Sequence, residues 1–228
     1  MSATRETSKA RSFENFRACY PFAGGTPAIP KHLEAMNSHK EEARGIVSLR
    51  LYEPSECNAI VERIQRIDGW DAALVREAQE DGAYNIVARS DVRSASMLHP
   101  SAVPGLHDEF EMKLDLLVKP LIRQLWKLDL KTHSGTHLLK YETADHYRPH
   151  QDTGLGFDGR YFSVVCYLND DFFGGRTLFP TLDYATTPAA GRAIIFPSNY
   201  LHGSEPVSHG KKFVLVSWIE GPVPIKWI

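Results

Sequence analysis

His150 and Asp152 are separated by one residue, His202 follows 50 residues after the aspartate, and Lys212 comes ten residues later. In a strand, side chains at i and i+2 leave the same face. An imidazole and a carboxylate at this spacing are therefore expected side by side in one cavity. A later histidine completes three ligands on one face of an ion and leaves its other positions open. Two histidines and one carboxylate in that arrangement suit non-haem ferrous iron that binds oxygen. Lys212 would add a fixed positive charge for an anionic co-substrate.

These residues need a scaffold that brings distant segments together. From Thr136 onward, short apolar segments at 136–142, 161–168, 176–179, 192–196 and 213–219 are punctuated by Gly, Pro, Asn and Asp. That is a strand series with turn signals, and it predicts a mainly β barrel or double-sheet jelly roll. Upstream, residues 46–52 read as a strand. Glu53-Pro-Ser-Glu-Cys57 then opens a helix with Pro54 near its first turn. Cys57, Ile60, Val61, Ile64 and Ile67 recur at helical spacing and make its apolar face. A second helical region spans roughly 105–128. Phe110, Leu114, Leu117, Leu121 and Leu125 form its buried stripe, and Pro120 must kink or divide it. Helices first and strands after place the helices outside a β core. Residues 1–45 are an N-terminal extension: a polar stretch, a looped segment with three prolines and two glycines over 20–30, and a short polar helix over 31–44.

The gross numbers narrow the function classes. The 228 residues suffice for one domain with a sizeable core. Lys plus Arg is 26 and Asp plus Glu is 28, a net charge of −2, so no nucleic-acid surface is expected. No apolar run is long enough for a membrane span. Cys19, Cys57 and Cys166 are odd in number and far apart. A disulfide framework or zinc thiolate site is not expected, and a reducing, cytoplasmic compartment fits best.

A His-x-Asp triplet alone is weak evidence, and its surroundings strengthen it here. A Gly-rich stretch follows, Thr153-Gly-Leu-Gly-Phe-Asp-Gly159. Tyr161-Phe-Ser-Val-Val-Cys-Tyr-Leu-Asn169 and Gly174-Gly-Arg-Thr-Leu-Phe-Pro180 come next. His202 and Lys212 then flank a turn-rich segment that leads into Phe213-Val-Leu-Val-Ser-Trp218. With these motifs in this order, the chain resembles the iron(II)- and 2-oxoglutarate-dependent dioxygenases, specifically the prolyl 4-hydroxylase-like branch. The resemblance covers about 46–225 and is tightest over 141–218.

The resemblance implies a double-stranded β-helix (jelly roll) core with flanking N-terminal helices, and a catalytic domain over 46–228. It implies His150, Asp152 and His202 as iron ligands and Lys212 as the residue that holds the distal carboxylate of 2-oxoglutarate. Tyr167 matches a tyrosine that bonds the same carboxylate. Tyr141, Thr177 and Trp218 match positions lining the co-substrate pocket. Arg93, with Ser94, resembles an element on the substrate side. Asp152 stands where related halogenases have Gly or Ala, so hydroxylation is expected rather than chlorination. The implied cofactors are Fe(2+), 2-oxoglutarate and O2, with ascorbate as a candidate reductant. The implied reaction hydroxylates an unactivated C–H bond of an amino-acid-like substrate, free or peptidyl, proline included, and releases succinate and CO2. Desaturation or cyclisation of a small natural product is the alternative within the same chemistry. A non-catalytic sensor and a zinc hydrolase are the competing classes. A small molecule or peptide is the expected partner, and oligomeric state is left open.

Some residues admit plainer readings. Lys211 adjoins Lys212, but Lys212, Val214, Val216 and Trp218 alternate onto one face and Lys211, Phe213 and Leu215 onto the other. Tyr167 has the alternative of an ordinary half-buried strand tyrosine. His146 and His209 are read as solvated loop residues. His133 and His137, four apart around a glycine, are read as surface residues.

Overall fold

The computed structural model describes residues 39–154 and 156–223. β1 (Lys40–Ala43) and β2 (Ile46–Arg50) form a hairpin. α1 (Pro54–Ile64) follows, with Pro54 in its first turn and a capping box between Glu53 and Glu56. Proline costs nothing there because a first-turn N–H has no helical acceptor. Cys57 and Ile64 are buried, and Ile60, Val61 and Ile67 pack against the core beside them. Then come β3 (Asp71–Ala72), β4 (Val75–Ala78), β5 (Tyr84–Val87) and β6 (Ser96–Leu98).

The second helical region is divided, as Pro120 requires. α2 (Leu106–Lys113) runs into a π turn (Leu114–Val118), and α3 (Lys119–Trp126) continues from it. Pro120 has no N–H to give the preceding turn, and the wide turn absorbs the missing bond. Phe110, Leu114, Leu117 and Leu121 are buried as expected, but Leu125 is 38% exposed. The π turn advances the helix face by a residue, so Trp126 makes the last contact instead, its ring 4.8 Å from that of Phe162.

The remaining strands are β7 (Thr132–Tyr141), β8 (Tyr147–His150), β9 (Arg160–Tyr167), β10 (Phe173–Gly174), β11 (Thr177–Phe179), β12 (Tyr184–Ala185), β13 (Arg192–Pro197), β14 (His202–Ser204), β15 (Val207–His209) and β16 (Lys212–Glu220). They form an eight-stranded sheet, ordered β1-β2-β13-β9-β16-β7-β6-β3, and a four-stranded sheet, ordered β12-β11-β14-β8. Two two-stranded sheets, the β4–β5 hairpin and the long-range pair β10–β15, stand apart. The fold is mainly β, in keeping with the jelly-roll expectation.

Strand alternation assigns each face its job. Phe162, Val164, Cys166, Phe213 and Leu215 join the helices in one apolar cluster. Tyr167, Val214, Val216, Trp218, Ile194 and Phe196 form the other, with Phe179 from the small sheet. One face of the large sheet therefore holds the helices and the other faces the functional cavity.

Among the described residues, the first regular element is the strand at Lys40–Ala43. Residues 40–43 form a strand rather than the end of a polar helix, because β2 offers a free edge for their backbone groups. The other expectations for the extension, Cys19 included, concern 1–38 and lie outside the described residues.

One glycine locks two segments together. Gly191 has φ +79°, and a Cβ there would stand 1.9 Å from Tyr52 O. Its own carbonyl accepts from the N–H groups of Leu51 and Tyr52. Gly191→Ala is expected to cost about 3 kcal/mol or more. The check is a lower urea midpoint at unchanged slope.

Candidate active site

β8 and β14 pair so that His150 and His202 stand directly opposite, with ring centroids 4.4 Å apart. Two features permit this. β8 is the edge of its sheet, so Pro149 withholds no needed donor. Gly203 lets the strands approach: a Cβ there would lie 2.7 Å from Tyr147 O.

Asp152 reaches the same point by another route. The expectation that it shares a strand with His150 does not hold, because β8 stops at His150. Asp152 sits in the bend beyond, its N–H donating to Ser198 O at 2.9 Å. Ser163 Oγ donates to Asp152 Oδ2 at 2.7 Å, and the Ser198 hydroxyl stands 3.0 Å from that of Ser163. Tertiary hydrogen bonds, not strand periodicity, aim the carboxylate.

Asp152 Oδ1 lies 3.4 Å from His150 Nε2, and Oδ2 lies 3.3 Å from His202 Nε2. One donor atom from each residue falls within 4.8 Å of the others. Donors gripping one ion at right angles would be roughly 3 Å apart, so the spacing fits a shared metal. The outer atoms agree. His150 Nδ1 is 2.9 Å from Arg148 O, and His202 Nδ1 is 2.9 Å from Tyr200 O. A carbonyl accepts only, so each Nδ1 carries the proton and each Nε2 presents a lone pair inward. Burial opposes charge on Asp152, but the neighbouring His202 and His150 hold its carboxyl well below the usual range. Burial and His202 push the His150 imidazole down. A charged carboxylate and a neutral imidazole are the forms that bind metals.

Lys212 opens β16 and is 2% exposed. Its Nζ donates to Gly175 O at 2.8 Å and Ser204 Oγ at 2.6 Å, and stands 4.2 Å from the centre of the Tyr141 ring. Burial pulls the ammonium down to about 7. Lys211 points outward to Glu142 at 2.8 Å. Alternation along the strand thus separates the two lysines.

A cavity of about 660 Å³ contains this group. Tyr141, Thr177, Trp218 and Arg93 line it with the three candidate ligands and Lys212. Tyr167 stands next to Thr177. It is buried and absent from the cavity lining, and its hydroxyl lies 2.7 Å from that of Thr177 and 2.8 Å from that of Thr186. It therefore braces Thr177.

The two spaced histidines are not surface residues. His133 lies against Glu111 Oε2 at 3.2 Å and Asp115 Oδ1 at 3.5 Å, toward the helices. His137 lines the cavity edge-on to Trp218, at 5.1 Å, and burial pushes it down to about 4. A bulge separates them: 134 pairs with 218 and 137 with 216, three steps against two. The extra residue, beside Gly135, inverts which face β7 presents. His146 is held at Ser94 Oγ, 3.2 Å from its Nδ1, rather than solvated, whereas His209 is exposed.

Sequence reasoning missed Arg160, Arg76 and Phe157, which also line the cavity. Their available signal was an arginine closing the Gly-rich stretch after the ligand pair. Cys57 and Cys166 are free and buried.

Against this geometry, comparison with known proteins is informative. The model of the 2OG-Fe(II) oxygenase superfamily matches residues 136–220. A PKHD-type hydroxylase of Prochlorococcus marinus is 24% identical over 181 residues, 77% of either chain. Further PKHD-type hydroxylases are 31–34% identical, but the chain spans only about half their length. Prolyl 4-hydroxylase subunit alpha-1 of Gallus gallus is 29% identical over 117 residues, 43% of this chain and 23% of that one. Among solved structures, a Pseudomonas putida prolyl-4-hydroxylase superposes with a TM-score of 0.57 at 19% identity, over 84% of this chain and 98% of the other. A Trichoplax adhaerens prolyl hydroxylase, solved with a hypoxia inducible factor peptide fragment, gives 0.58 at 16% identity, over 83% and 89%. These two likenesses concern the fold.

Proposed function

The chain belongs to the 2OG-Fe(II) oxygenase superfamily, on its prolyl 4-hydroxylase-like side, and from that premise we propose that it hydroxylates an unactivated C–H bond of an amino-acid-like substrate, free or peptidyl. In this reading the catalytic domain spans 46–228, with Lys40–Ala43 adding an edge strand. The carrying observation is the convergence of His150, Asp152 and His202 within 4.8 Å, beside a buried lysine.

The residues fit the group they would hold. Two Nε2 lone pairs and one carboxylate would grip ferrous iron from one side and leave its other positions open. Bound ferrous iron would supply the chemistry that activates O2 as oxidant, with 2-oxoglutarate as co-reductant leaving as succinate and CO2. The chain's residues hold and orient the participants. Lys212 has three N–H donors, and Gly175 O and Ser204 Oγ take two. The third is left for the distal carboxylate of 2-oxoglutarate. The two backbone carbonyls behind the histidines fix their tautomers. Tyr141 covers the ammonium with its ring face, and Thr177, braced by Tyr167, stands on the same wall. Ascorbate would serve only as an auxiliary reductant. The free thiols of Cys57 and Cys166 agree with a reducing cytoplasm.

The direct test is substrate-free turnover. Protein loaded with Fe(2+) under anaerobic conditions and then given 2-oxoglutarate and O2 should release succinate slowly, and the zinc-loaded protein should release none. Absence of succinate with iron would favour a sensor. Hydrolytic activity with zinc and without 2-oxoglutarate would favour a hydrolase.

Affinity for 2-oxoglutarate should depend on pH. In this structure the Lys212 ammonium is pulled down to about 7, and a bound carboxylate raises it again. Below pH 7 the free site is already charged. Above it, binding must take up a proton, so the apparent Kd rises by up to about tenfold per pH unit. Calorimetry from pH 6.5 to 8.5, in buffers of different ionisation enthalpy, reads both the affinity and the proton. An affinity flat across that range would count against the role of Lys212.

A further inference from the structure

Arg160 opens β9, opposite Glu220 of β16, and turns its side chain into the cavity. The guanidinium lies 3.6 Å from the centre of the Phe157 ring and 3.6 Å from that of Trp218. The residue is 7% exposed and its Nε has no hydrogen-bond partner; the carboxylates of Asp152 and Glu220 act on its charge without forming an ion pair with it among the described residues. Burial pulls it down to about 10. A cation held in this way costs stability, and ring stacking offsets only part of that cost. A second guanidinium faces the same region. Arg93 lies 4.7 Å from the centre of the Tyr147 ring, its Nη1 donates to Leu74 O, and its Nε is also unpartnered. The charges of both arginines act on His137 and on Tyr147, so the two bracket one region of the cavity.

Charge balance points outward from the protein. In the proposed function, ferrous iron and the 2-oxoglutarate dianion cancel, and so do Lys212 and Asp152. Glu77, the other acid on the cavity wall, bonds to Arg89. Arg76 also lines the cavity, stacked on Tyr84 and Phe157; beside it, the guanidinium charges of Arg160 and Arg93 are left for the substrate to neutralise. An internal peptide residue with a neutral side chain brings no such charge. A free carboxylate does, and it matches the planar fork of an arginine. Beside these cations the walls are apolar: Leu74, Ile86, Met97 and Val216.

We propose that the substrate is a compact, largely apolar carboxylic acid whose carboxylate sits between Arg160 and Arg93 while its carbon body rests on Leu74, Ile86 and Val216. This rests on the proposed function, since the cavity charge is counted with iron and 2-oxoglutarate in place.

Binding tests it without turnover. The full chain, loaded with Mn(2+) and 2-oxoglutarate without oxygen, is titrated by calorimetry with the free proteinogenic amino acids and short aliphatic and aryl carboxylic acids. Each acid is matched with its carboxamide. At least one acid should bind, and its carboxamide should bind about tenfold or more weakly. Arg160→Gln should weaken that acid by a similar factor, and Arg160→Lys should restore part of it. The inference is overturned if no acid binds below about 10 mM, or if acids and carboxamides bind alike. It is equally overturned if a proline peptide blocked at both ends binds more tightly than every acid. The comparison in the unaltered protein needs no variant to fold. Failure of 2-oxoglutarate itself to bind would sink the proposed function, whereas its binding without any acid preference would sink this inference alone.

Discussion

Asp152→Ala abolishes iron-dependent succinate release, by about a thousandfold or more, while the protein stays folded. The carboxylate is the one anionic member of the donor set, and it touches both imidazoles. Without it, two neutral nitrogens face the ion. Changes one layer behind a metal's ligands typically cost 10–100-fold in affinity or activity, and losing a ligand should cost more. The variant also releases His202 from the charge that raises its pKa against the effect of burial. Its imidazole therefore protonates less readily, and any weak residual metal binding should be less sensitive to acid. Three readings separate the causes. Iron affinity, followed by calorimetry with Mn(2+) as a stand-in, should fall by more than about 100-fold. Succinate release should stay absent at saturating iron. The thermal melt of the metal-free protein should change little, since Ser163 and Ser198 retain each other. Near-normal turnover would remove Asp152 from the site and with it the proposed function.

The second large effect is at Lys212. Lys212→Ala should raise KM for 2-oxoglutarate by about 100-fold, with kcat at saturating co-substrate reduced far less. The ammonium is 2% exposed and has no carboxylate partner among the described residues. Losing one side of a buried charge-assisted pair costs about 2–5 kcal/mol, and about 3 kcal/mol is a factor near 100. The effect belongs to binding because the distal carboxylate does not react, and an interaction equal in ground and transition states changes KM alone. Lys212→Arg should retain more affinity than alanine, since the charge persists. It should still fall short of lysine, because a planar fork cannot reproduce bonds to Gly175 O and Ser204 Oγ from a single atom. Substrate affinity should shift little in either variant. An unchanged KM for 2-oxoglutarate in Lys212→Ala would move the anchor elsewhere on the wall.

Local geometry made part of this protein legible. Choosing Lys212 over Lys211 needed only the period-two rule, because β16 keeps Val214, Val216 and Trp218 on the cavity side without interruption. Pro54 marked a helix start and Pro120 a break, since proline lacks an N–H wherever it stands. The His-x-Asp triplet, the later histidine and the motifs around them together named the candidate ligands.

Other features depended on contacts between segments far apart in the chain. Asp152 lies beyond its strand and is aimed by Ser163 and by the carbonyl of Ser198. His137 faces the cavity because one extra residue near Gly135 shifts the register against β16, and a single-residue slip exchanges the two faces of a strand. The Tyr167 hydroxyl is taken by Thr177 and Thr186, 10 and 19 residues away. Arg160 became visible only once Phe157 and Trp218 closed over it. The residue order alone determined which groups were available and which way an unbroken strand would turn them. Tertiary packing decided which of them share a cavity and which are already occupied, because a side chain's free bonds and unpaired charge depend on neighbours that sequence spacing does not bring near.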